Sequence, residues 1–75
     1  MWFRPYPELR EVIVNLKTDT VFRGVLYKRT RTYIVLKNAK LLQVRDKIIP
    51  LDGEVLIDTK NVDFIQVVNY ADNTI

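Results

Sequence analysis

Between Val25 and Leu36 the chain runs VLYKRTRTYIVL, which sets Lys28, Arg29 and Arg31 between Tyr27 and Tyr33. Cationic side chains of this kind can track a phosphate backbone, and a tyrosine face can stack a base at about 1 to 3 kcal/mol per base. The same residues also suit the solvated tip of a hairpin, which needs no ligand. Tyr33 carries the same choice, between stacking a base and packing against Tyr27 across the strands.

Other chemistry has little to work with. The chain contains no His, Cys or Ser, so the common nucleophile and base pairs are absent, and Gly24 and Gly53 are too few for a phosphate-cradling loop. Asp52, Glu54, Asp58 and Asp63 follow no cation-loop spacing and suit a solvated acidic face. A non-enzymatic protein without metal or cofactor is therefore expected.

Charge divides along the chain. Residues 1–47 hold eleven of the twelve Lys and Arg against four acidic residues, a balance of +7, whereas residues 48–75 hold only Lys60 against five, a balance of −4. This asymmetry suits an anionic ligand, or copies that meet basic side to acidic side. With 75 residues and no cysteine, one domain is expected, with a core too small to be stable by itself and oligomerisation as the remaining support. MWFRPYPELR does not resemble a secretory signal, and no apolar run approaches the roughly 18 residues of a membrane span. A cytoplasmic protein that does not enter the membrane is the resulting expectation.

The elements that would position the basic cluster are strands. Val12–Leu16 alternates with Val12, Val14 and Leu16 on the core face, and Lys17–Thr20 makes a polar turn. In Val21–Tyr27, Phe22, Gly24 and Leu26 share a face, and Gly24 marks a bend or a close approach of another backbone. A long third strand, Thr32–Val44, turns Ile34 and Leu36 inward and needs a bulge near Asn38. Ile48 and Ile49 can begin the next strand before Pro50 interrupts it, so Glu54–Asp58 is the fourth strand proper, with Val55 and Ile57 inward, and Val62–Val68 is the fifth. A short helical turn is expected at Glu8–Arg10 after Pro7. Residues 1–11 form an aromatic and proline arm, 12–68 the domain and 69–75 a polar tail. Trp2, Phe3 and Tyr6 in the arm either lid the core or meet a protein partner.

This pattern resembles the Sm and Sm-like family, which includes bacterial Hfq. VIVNLKTDTVFRGVLYKRTRTYIVLKNA is similar to its first motif and GEVLIDTKNVDFIQVV to its second, so the resemblance spans about Val12 to Val68. It implies an all-β fold, a small, strongly bent, five-stranded antiparallel barrel of the SH3-like kind. The fourth strand of one copy would pair with the fifth of the next, giving homo-oligomeric rings of about six or seven copies that bind single-stranded RNA around a pore.

Carried over by position, the RNA contacts fall on Lys28, Arg29, Arg31 and Tyr33 in the loop between strands two and three, and on Lys60 and Asn61 between strands four and five. Here the chain departs from the pattern. The stretch from Arg29 to Tyr33 lacks the family's acidic residue and Asn, its Arg-Gly pair falls on Asp58 and Thr59, and the His of Hfq's Lys-His step falls near Asn61. Weaker sequence preference is one implied outcome. The other is a structural or protein-binding ring, a scaffold of viral or other origin, that has lost RNA binding.

Overall fold

The computed structural model describes residues 9–42 and 47–68. The expected arm with Trp2, Phe3 and Tyr6, the turn at 45–47 apart from Lys47, and the tail lie outside these residues. Six strands occur in the order β1 (Glu11–Leu16), β2 (Val21–Arg29), β3 (Tyr33–Leu42), β4 (Ile48–Pro50), β5 (Glu54–Asp58) and β6 (Val62–Val67). A 3₁₀ turn, Thr59–Asn61, separates the last two. All pairing is antiparallel, in the order β4-β3-β2-β1-β6, with β5 also on β3.

Alternation assigns the faces. Val12 and Val14 of β1, Leu26 of β2, Ile34, Leu36 and Ala39 of β3 and Ile57 of β5 form the buried core. Leu16, Phe22, Leu51, Val55, Val62 and Ile65 pack around its margin. Val35 breaks the alternation: it is also buried, on the opposite face, in a rung with Lys28 and Leu56.

The sheet bends where β2 and β3 lose register. Arg23 faces Lys40 and Val25 faces Lys37, so β3 carries one extra residue opposite Gly24. Asn38 absorbs it with a left-handed φ of 52°, a conformation that Asn tolerates better than most residues. At Gly24 a Cβ would lie 3.0 Å from the Lys37 carbonyl oxygen and 3.1 Å from Ala39 Cα, so glycine is what lets the two backbones meet. Ala39 then accepts a hydrogen bond from Leu51 N at 2.9 Å.

This bend splits the neighbour of β3 in two, which accounts for six strands where five were expected. β4 pairs with Lys40–Leu42, β5 with Tyr33–Lys37, and Gly53 turns between them with φ 74°. Pro50, without an N–H, ends β4. The barrel is not closed by a ladder, because β5 pairs with β3 and β6 with β1 but not with each other. A flat sheet would hold β5 and β6 about 19 Å apart over four strand spacings. The chain crosses from Asp58, paired with Tyr33, to Val62, paired with Leu16, in four residues, at most about 14 Å. The sheet must therefore curl.

The expected helical turn at Glu8–Arg10 is corrected. Leu9 has a left-handed φ of 64°, and Arg10 accepts from Leu26 N at 2.9 Å, so Leu9 and Arg10 continue along β2 instead of coiling, while Glu8 lies outside the described residues.

Gly24→Ala tests the close approach. The added methyl must displace the β3 backbone, and a loss of about 1 to 3 kcal/mol is expected in urea unfolding. Asn38→Gly should be tolerated within about 0.5 kcal/mol, since glycine accepts the same φ.

Candidate nucleic-acid interface

The basic hairpin ends in a two-residue tip, Arg31 and Thr32. Two-residue hairpin turns usually need positive φ, yet neither tip residue has it. Thr30 supplies the alternative. Its N donates to the Tyr33 carbonyl at 2.8 Å, while its Oγ1 accepts from Tyr33 N at 3.1 Å and from Thr32 N at 3.3 Å. The hydroxyl thus receives the N–H that a backbone carbonyl would otherwise take.

The 3₁₀ turn is fastened to this tip. Thr59 N donates to the Thr32 carbonyl at 2.9 Å and Thr59 Oγ1 to the Arg31 carbonyl at 3.2 Å. Asp58 Oδ1 caps the turn by accepting from Lys60 N at 2.9 Å. Lys17 N donates to the Asn61 carbonyl at 2.8 Å, which brings in the β1–β2 turn. Three turns distant in sequence therefore adjoin, and the two segments expected to meet a ligand, Arg31–Tyr33 and Lys60–Asn61, are joined through Thr59.

Not every expected residue takes part equally. Lys28, Arg31, Lys60 and Asn61 are exposed, while Arg29 and Tyr33 are half-buried. The register puts Lys28 in the rung of Val35 and Arg29 in that of the core residue Ile34, so these two cations face opposite sides of β2. Tyr33 shares a rung with Asp58. Of the two readings open for Tyr33, the aromatic pair with Tyr27 is not formed. β2 bulges at Tyr27, and Lys37 Nζ lies 3.7 Å from the Tyr27 ring centroid and 3.6 Å from a Glu54 carboxylate oxygen. One acidic residue thus meets a lysine instead of standing in a purely solvated face. Lys17, exposed beside Asn61, is a cation that sequence reasoning missed. Only the curl of the sheet places it there.

Among the described residues no group of acidic side chains is arranged to hold a metal ion. No helix there is long and apolar enough to cross a membrane.

Thr30→Val removes the hydroxyl that organises the tip. A loss of about 1 kcal/mol in chemical unfolding is expected, the size of one or two side-chain hydrogen bonds. Faster amide exchange at Thr32 and Tyr33 should accompany it.

No protein-family model matches the chain, and no curated protein sequence is significantly similar to it. Solved structures are. A heptameric archaeal Sm protein matches with TM-score 0.74 and 22% identity, over 81% of this chain and 88% of that one. The P. aerophilum SmAP1 heptamer matches with TM-score 0.73 and 22% identity, over 81% of each chain. The Pyrococcus abyssii Sm protein in complex with a uridine heptamer matches with TM-score 0.73 and 27% identity, over 81% of this chain and 86% of that one. The bent antiparallel sheet and these structural matches together make the chain Sm-like: it carries the Sm fold.

Proposed function

We infer that copies of this chain join through their sheet edges into a closed ring, and that the ring binds single-stranded RNA without catalysis. The observation that carries the assembly is where exposed apolar side chains lie. Of the seven large hydrophobic residues exposed among the described ones, five, Ile48, Ile49, Leu56, Phe64 and Val67, are on β4, β5 or β6, the strands with an unpaired edge; Leu9 and Tyr27 are the other two. An apolar edge invites pairing, and a small core gains burial from it.

The two edges differ, so the contact joins β5 of one copy to β6 of the next and repeats until the set closes. Antiparallel pairing would set the end of β5 against the start of the neighbour's β6. The 3₁₀ turns and basic tips of successive copies then gather at one end of the assembly. Similar Sm proteins are heptameric, and one was solved with a uridine heptamer; both facts support the reading. A ring of six or seven copies is the expected size.

Asp58 favours a second reading. It is exposed in the rung of Tyr33, with its carboxylate on Lys60 N, and a negative charge there repels phosphate, which suits a ring that acts as a scaffold or meets protein instead of RNA.

Light scattering and native mass spectrometry of the intact protein should find a single multiple-copy species. Phe64→Asp with Leu56→Asp should shift it to single copies or unfold it; a wild type that stays folded as one copy at micromolar concentration overturns the assembly. Labelled single-stranded RNA should bind with affinity that falls steeply as salt rises. Lys28→Ala with Arg31→Ala should weaken it by about tenfold or more and flatten the salt dependence. Absence of binding at low salt favours the scaffold.

A further inference from the structure

Resting on the RNA-binding reading, we propose that the junction takes single-stranded nucleic acid with little regard to base or sugar, so that single-stranded DNA is as good a ligand as RNA. Base and sugar are told apart by directional hydrogen bonds, whereas phosphate needs only positive charge. The polar groups suited to directional readout are largely occupied within the junction itself. Thr30 Oγ1 is held by Thr32 N and Tyr33 N and itself faces the Tyr33 carbonyl at 3.1 Å. Thr59 Oγ1 is spent on the Arg31 carbonyl, and Asp58 Oδ1 on Lys60 N. The backbone is occupied as well: Thr59 N bonds to the Thr32 carbonyl and the Asn61 carbonyl to Lys17 N.

What remains open is of another kind. Lys28, Arg31 and Lys60 are exposed and form no ion pair with a described residue, and Lys17 lies exposed next to Asn61. Tyr33 adds a half-buried ring. Cations that follow a backbone and a ring that stacks any base bind strands without reading them. Apart from the cations, the Tyr33 hydroxyl and the second Asp58 oxygen, a ribose 2′-hydroxyl, the group that separates RNA from DNA, could find Thr32 or the Asn61 amide. Both are exposed, where water competes for the same bonds.

Fluorescence anisotropy of the intact protein with labelled 15-residue oligo-U, oligo-A, oligo-dT and oligo-dA at low salt tests this. All four should bind within about fivefold of one another, the spread that stacking strength alone allows. Asn61→Ala and Thr32→Val should leave the ratios unchanged. A ligand favoured by more than about tenfold over the others, or a ratio that collapses in either variant, overturns the inference while RNA binding stands. If none of the four binds, the RNA-binding reading falls and takes this inference with it.

Discussion

A three-residue link crosses the open side of this sheet, and the rest of the molecule conforms to it. Asp58 is tied to Tyr33 on one flank and Val62 to Leu16 on the other, so the intervening Thr59–Asn61 cannot be spanned unless the strands between them curl. The curl in turn needs a place where β3 can fold over β2. Gly24, facing the extra residue at Asn38 and the small Ala39, provides it. A larger residue at either Gly24 or Ala39 would hold the backbones apart and strain the link.

The same link makes the candidate site. Because it bonds to the hairpin tip at one end and to the β1–β2 turn at the other, it draws Lys17, Arg31 and Lys60 to one end of the molecule from widely spaced parts of the chain. Asp58 and Thr59 stand where the resemblance would put Arg and Gly, and the structure shows what they do instead. One caps the turn and the other locks it to Arg31. Position is secured by Thr59 and by one oxygen of Asp58, groups that the family pattern would give to ligand contact.

Much of the fold was legible because period-two alternation is a local signal. Val12, Val14, Leu26, Ile34, Leu36 and Ile57 all face the core as their spacing requires. Gly24 and the break at Lys37–Lys40 announced the bend, since glycine within a strand and a polar interruption each have few explanations. The division into β4 and β5 was half legible: Ile48 and Ile49 could be read as the start of a strand that Pro50 interrupts, but nothing local showed that they hold a ladder of their own on β3. Val35 was hidden for another reason: its burial depends on Lys28 and Leu56 across two ladders. At the site the residue types were legible but their partners were not. Packing of Tyr33 against Tyr27 was one of two readings open to the sequence, and the Tyr27 ring, at the bulge in β2, instead meets Lys37.

The unlike edges have a consequence for growth. In the edge-to-edge assembly proposed above, a copy that docks by β5 would leave its own β6 unsatisfied, so each addition would recreate the vacancy it fills, and nothing in the contact itself would limit the count. Termination is geometric: it occurs only if the rotation between neighbours returns the last copy to the first. Any change that alters the curl by a few degrees therefore alters the number of members, and one that adds a rise along the axis converts a finite object into a filament.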